Sequence, residues 1–190
     1  MNTPTKITLL RFILTPIVII TYLYESNSNH WASVSLFIIA SLSDWFDGYA
    51  ARKSKQETQL GRLLDPIADK FLVISVLMML AFVLNMWVFH LLVSLVVLRD
   101  LLITSLREWA SEHQFSGGLS PTMVAKAKTG ALMVSITCLI AYVPENTALL
   151  NQTFIHFGML LFIFATLLSY VSLGQYIKII IPVLTSHRKK

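Results

Sequence analysis

A chain of 190 residues with one cysteine, Cys138, forms no internal disulfide and offers no cysteine-rich metal site. Cys138 lies inside an apolar run, where a thiol reads as a small buried hydrophobe. Charge is scarce as well. Asp, Glu, Lys and Arg make up 13% of the residues, against about 25% in a typical soluble domain. Hydrophobic residues reach 55% and mean hydropathy is +0.68, which argues against a water-soluble fold. No internal repeat or low-complexity tract is visible, and the length suits a single domain over residues 1–190. The most informative absence is local: the stretches 25–30, 84–86 and 144–153 contain no lysine or arginine.

Those stretches separate long apolar segments. A bilayer core about 30 Å thick is crossed by about 20 apolar residues in a helix. Six candidates can be read: Leu9–Tyr24, Trp31–Ala50, Ile67–Leu84, Trp87–Leu106, Lys128–Tyr142 and Phe154–Tyr176. The fourth is expected to continue as a helix to about Glu112. The expected fold is therefore all-α, a polytopic membrane protein with six transmembrane helices. The basic-free stretches are turns on one side, and Ala51–Leu64 and Ser111–Ala127 are connections on the other. All 15 lysines and arginines lie on, or toward, that second side, from Lys6 and Arg11 through Arg52, Lys53, Lys55, Arg62 and Lys70 to Lys178 and the terminal Arg188-Lys189-Lys190. Basic residues mark the cytosolic face, so both termini are expected to be cytosolic. The net charge of +5 thus reflects membrane topology rather than a nucleic-acid partner. Arg11 interrupts the start of the first segment and no small-residue cleavage site follows Tyr24, so this segment is expected to be a retained span.

Eight of the ten acidic residues share the basic side, and four of them form a pattern. Asp44 and Asp47 are three apart at the end of the second span, and Asp65 and Asp69 are four apart at the start of the third. Each pair therefore shares a helix face. Gly61 continues the second stripe and removes a side chain where a ligand approaches the backbone. Pro66 fits a first helical turn, where its missing N–H costs little. Carboxylates at a membrane boundary are expensive and by default functional. Two like unit charges 4 Å apart repel by about 4 kcal/mol even at an effective dielectric of 20. Cations must compensate, and two divalent ions would balance four carboxylates. All-oxygen ligation suits Mg²⁺ or Mn²⁺ rather than zinc. A two-metal site can activate an attacking oxygen and stabilise a leaving one in phosphoryl transfer. Taken singly, any of these aspartates could instead cap a helix or form a surface ion pair.

Beside them, Gly48 lets a ligand approach the main chain and Arg52 offers a planar fork for a diphosphate. A second cationic group lies further along. Arg99, Ile103 and Arg107 form an i, i+4, i+8 stripe down the fourth span, and Lys126 and Lys128 open the fifth at the same level. Such a cluster suits an acceptor with its own phosphate dianion. Lys126 and Lys128 could equally snorkel to lipid headgroups, and Asp100 could pair with Arg99. His30, His90 and His156 lie on the far side and are not expected to ligate.

The whole pattern, Asp44-x₂-Asp47-Gly48-x₂-Ala51-Arg52-x₈-Gly61-x₃-Asp65-x₃-Asp69, resembles the signature of the CDP-alcohol phosphotransferase family at all eight fixed positions. At about 5% background usage each, a chance match is on the order of one in 10¹⁰ per start position. The resemblance implies a six-helix membrane core, commonly dimeric, that displaces CMP from a CDP-linked lipid with two divalent metals. It implies that Asp44, Asp47, Asp65 and Asp69 hold the metals. Asp69 would also take the proton from the attacking hydroxyl, and Gly48, Arg52 and Gly61 would line the CDP site. Several segments resemble the bacterial members that use glycerol 3-phosphate as acceptor: Asn2–Arg11, Ser43–Gly48, Leu64–Lys70, Leu106–Trp109 and Lys126-x-Lys128-Thr129. Gln114–Met123 is less typical of them. The partners implied are CDP-diacylglycerol, glycerol 3-phosphate, membrane lipids and a second copy of the chain, in a bacterial inner membrane. Arg99, Arg107, Lys126 and Lys128 would hold the acceptor phosphate. Other readings are a sister enzyme that takes serine, inositol phosphate or phosphatidylglycerol, and a divalent-cation transporter. Transport sites lie near the midplane between repeats, whereas these carboxylates sit at one face.

Overall fold

A computed structural model describes residues 3–25, 30–54, 59–112, 123–144 and 146–187. Within them the chain is all helical: α1 (Thr3–Tyr24), α2 (Trp31–Ser54), α3 (Gln59–Leu84), α4 (Trp87–Glu112), α5 (Met123–Ala141) and α6 (Leu149–His187). Every expected span lies within, or within a residue of, one of these helices. Most helices run further at the basic end, because the polar residues that close an apolar span still favour helix. α4 reaches Glu112 as the pattern predicts. α6, at 39 residues, is roughly 58 Å long, about twice the hydrocarbon thickness, so its end projects beyond any membrane it crosses.

Two segments, Trp87–Glu108 and Leu149–Lys178, are long and apolar enough to cross a membrane, and only 28% and 33% of their most apolar windows is buried inside the protein. A soluble core helix would be mostly buried. Shorter apolar stretches cover Leu9–Tyr24, Trp31–Ser43, Lys70–Leu84 and Ala127–Ala141. The outer surface is correspondingly greasy, with Phe82 79% and Leu160 64% exposed. Apolar surface on this scale calls for lipid or protein cover.

Inside, α1 packs on α2 and α3, α5 on α6, and α4 on α3 and α6. Phe37, Leu77, Leu80, Phe89, Ile136 and Phe162 are fully buried between them, and the Phe89 and Phe162 rings sit 5.0 Å apart. α5 and α6 pack tightly at Gly158. A Cβ at Gly158 would lie 2.9 Å from the Leu139 side chain, and Ser135 Oγ donates to the Gly158 carbonyl at 2.7 Å.

Polar side chains set the turns. Glu25 accepts from Ala32 N at 2.9 Å and from Ser33 Oγ at 2.6 Å, serving orphan donors at the start of α2 from the end of α1. His30 is buried beneath it, stacked on Tyr22 at 4.2 Å. Burial pushes its imidazole below the ordinary histidine pKa, against the pull of Glu25. Asn85 takes a φ of 46°, a left-handed conformation that asparagine tolerates, and this reverses the chain between α3 and α4. The turn before α6 is shorter than its polar sequence suggests, since the helix begins at Leu149 rather than Phe154. Buried Asn151 closes it, accepting from Val143 N at 2.8 Å and donating to Val143 O at 2.7 Å.

Candidate active site

α2 carries Asp44 and Asp47, and α3 carries Asp65 and Asp69, within continuous helix. The spacing that predicts a shared face for each pair therefore applies to the folded chain. In the sequence, Asp44 and Asp47 close the apolar run of α2 and Asp65 and Asp69 open that of α3, so both pairs stand at the end of an apolar run. Beyond this helical register, the side chains of Asp44, Asp47, Arg52, Asp65, Asp69 and Lys126, and the surroundings of Gly48 and Gly61, lie outside what the structure describes. The fit of a divalent metal here is one of donor chemistry and register: four carboxylates and no softer ligand. Among the residues with described side chains, no three His, Cys, Asp or Glu gather as a metal site.

Directly inward of this level lies a cavity of about 350 Å³, walled by α1 to α5. Ser41, one turn before Asp44, and Lys70, next to Asp69, stand on its lining. Its apolar wall is made by residues such as Leu72, Leu77, Val96 and Leu132. Its polar wall is cationic: Arg11, Lys70, Arg107 and Lys128, with Asp100 the one carboxylate among the described lining residues. Arg11 is 1% and Lys128 8% exposed. Cations converging where water is scarce repel one another, and a bound anion relieves that cost.

Each of these cations is held. Lys70 Nζ donates to Thr104 Oγ1, which donates to the Asp100 carbonyl at 2.7 Å. Arg107 Nη2 donates to the Tyr176 hydroxyl, and its guanidinium lies 5.0 Å from that ring's centroid. Lys128 Nζ donates to Asp100 Oδ1 at 3.0 Å. Of the residues expected to hold an acceptor phosphate, the fold thus brings Arg107 and Lys128 to one cavity. Arg99 is placed differently. Its Nε donates to the Ser169 carbonyl of α6 at 2.9 Å and its Nη1 to Asp100 Oδ1 at 2.8 Å. The stripe of Arg99, Ile103 and Arg107 faces α6, where Ile103 packs with Leu173 and Tyr176. Arg11 and Lys70 enter the cavity although the sequence marks them only as signs of topology. The available signal was a charged residue placed within, rather than beside, an apolar run.

The carboxylate-bearing helix ends and the cationic cavity together suit a reaction on phosphate esters at the edge of an apolar layer. The sequence pattern of the CDP-alcohol phosphatidyltransferases matches residues 1–173. The chain belongs to the CDP-alcohol phosphatidyltransferase family. Members of this family are known for dependence on a divalent metal. The family member from Wigglesworthia glossinidia brevipalpis named CDP-diacylglycerol–glycerol-3-phosphate 3-phosphatidyltransferase is 38% identical over 143 residues, 74% of this chain and 77% of that protein. The protein of the same name from Blochmanniella floridana is 31% identical over 84% of each chain. That of Escherichia coli strain K12 is 32% identical over 176 residues, 93% of each. The family pattern thus spans all of α1 to α5 and most of α6.

Proposed function

We infer that the chain transfers a phosphatidyl group from CDP-diacylglycerol to sn-glycerol 3-phosphate, forming phosphatidylglycerophosphate and releasing CMP. The observation that carries this reading is the cavity's cationic wall beside the carboxylate-bearing helices. An acceptor with its own dianion needs cations apart from those that serve the CDP diphosphate. Arg107, Lys126 and Lys128 are assigned to that dianion, joined by Arg11 and Lys70 on the cavity wall, while Arg99 acts one step behind them. Gly48, Arg52 and Gly61 are assigned to the CDP moiety. The names of the similar proteins support the same two substrates.

In the reaction the acceptor hydroxyl oxygen attacks the phosphorus that carries the diacylglycerol. A new P–O bond forms as the bond to CMP breaks, and Asp69 takes the hydroxyl proton. Two divalent ions, Mg²⁺ or Mn²⁺, held by Asp44, Asp47, Asp65 and Asp69, would supply Lewis-acid stabilisation of the charge that develops on the diphosphate. The cationic wall orients the acceptor by its phosphate, so that binding energy far from the reacting atoms fixes the attack.

A CMP-release assay with purified protein and CDP-diacylglycerol tests the assignment. Release is expected with glycerol 3-phosphate and only at background with serine, inositol phosphate or phosphatidylglycerol. Equal turnover with one of those would place the chain in a sister activity. Metal uptake into vesicles without CMP release would favour the transporter reading.

The same reading has six spans, both termini in the cytosol of a bacterium and the site on the cytosolic face of the inner membrane. Assembly as a homodimer belongs to it too and rests on the family resemblance. Orientation is tested with single cysteines in a Cys138→Ala background. Positions 28 and 147 should react with an impermeant thiol reagent added to intact cells, and position 54 should not. Thr147 is exposed, whereas the neighbouring Asn146 accepts from Ala148 N at 2.9 Å and is better left intact. Labelling at position 54 from outside would invert the topology.

A further inference from the structure

A carboxylate in a cavity built for a phosphate is a contradiction, since Asp100 repels the ligand that its neighbours attract. Its contacts resolve this. Asp100 Oδ1 accepts from Lys128 Nζ at 3.0 Å on α5 and from Arg99 Nη1 at 2.8 Å on its own helix, and Arg99 Nε reaches the Ser169 carbonyl of α6 at 2.9 Å. Three helices are joined through one carboxylate oxygen. Arg99 is only 5% exposed and is not on the cavity lining, so its charge offsets Asp100 from behind. The carboxylate is thereby made nearly neutral toward the cavity, and the Lys128 charge is left for the ligand.

Lys128 needs that partner. Its ammonium is 8% exposed, so few waters remain to solvate or orient it. Arg99 and Arg107 of α4, Lys70 of α3 and Arg11 of α1 are the other cations at this level, and like charges repel it. Tyr176 of α6 is held by Arg107, and α2 contributes only Ala40 and Ser41 among the described lining residues. Asp100 is the one described group here that opposes them. An untethered lysine, repelled by its neighbours, has four rotatable bonds along which to swing its charge away from the ligand.

We propose that Asp100 is a positioning residue of the acceptor site, holding the Lys128 ammonium aimed into the cavity while Arg99 braces it against α6. The proposal rests on the assignment of Lys128 to the acceptor phosphate. It also gives Arg99 a role at one remove from the substrate.

The experiment uses the intact protein in detergent or bilayer and measures kcat and KM for both substrates at about pH 8, where the acceptor phosphate is dianionic. Asp100→Asn should raise KM for glycerol 3-phosphate about 10-fold, with KM for CDP-diacylglycerol unchanged. Asp100→Asn combined with Lys128→Ala should raise it no further than Lys128→Ala alone, because both changes act through one ammonium. If Asp100→Asn does not accumulate, Asp100→Glu serves: it should raise KM for the acceptor modestly and leave kcat unchanged. A brace with no role in binding would lower kcat or stability alone, leave the acceptor KM untouched in either variant, and overturn the proposal. Lys128→Ala separates the two levels. If it leaves the acceptor KM unaltered, the assignment of Lys128 itself fails. If it raises that KM while Asp100→Asn does not, only the role of Asp100 fails.

Discussion

Replacing any one of Asp44, Asp47, Asp65 or Asp69 by asparagine is expected to cut CMP release by about 100-fold or more, with the protein still inserted in the membrane at normal yield. The amide keeps the shape of the side chain and removes the charge. Metal coordination is worth several kcal/mol in the transition state, and each 1.4 kcal/mol is tenfold in rate. Asp69→Asn also removes the proton acceptor, itself a contribution of about 10²- to 10⁴-fold, so it should be the most damaging of the four. Chelation of wild-type protein should reproduce the loss, and Mg²⁺ or Mn²⁺ should restore it. Full activity after stringent metal removal would refute the two-metal reading. The substitutions should cost little stability, because four carboxylates at one boundary repel one another when no cation is bound.

Lys128→Ala, Lys126→Ala and Arg107→Ala should each lower kcat/KM for glycerol 3-phosphate by about 10- to 100-fold, the worth of one charge-assisted hydrogen bond of roughly 1.5–3 kcal/mol. The same parameter for CDP-diacylglycerol should change by no more than about 3-fold. Arg52→Ala should show the reverse pattern. The effects will not be additive, since Arg107 and Lys128 line one cavity and would share one ligand. Unaltered acceptor kinetics with reduced membrane yield would instead assign these side chains to the lipid headgroups.

Much of the architecture was legible because it is local. Apolar length locates the helices, and the aspartate spacings of three and four depend only on helical repeat. The family signature is local in the same sense, lying wholly between Asp44 and Asp69. The boundaries were less legible. α6 begins at Leu149 because buried Asn151 closes the preceding turn, and an asparagine in a polar stretch does not announce a clamp.

The sequence by itself determined a six-helix chain of this family, with two pairs of aspartates in helical register. Only the tertiary structure decided which cations face a common space. Arg99 and Arg107 share a helix stripe and both reach α6, at Ser169 and Tyr176, yet only Arg107 also lines the cavity. Arg11 and Lys70 stand far apart in the chain and meet on one wall. The reason is geometric. The helical repeat orders side chains around their own axis, but the rotation of each helix against its neighbours comes from packing between α1 and α6, and that rotation chooses what every charge meets.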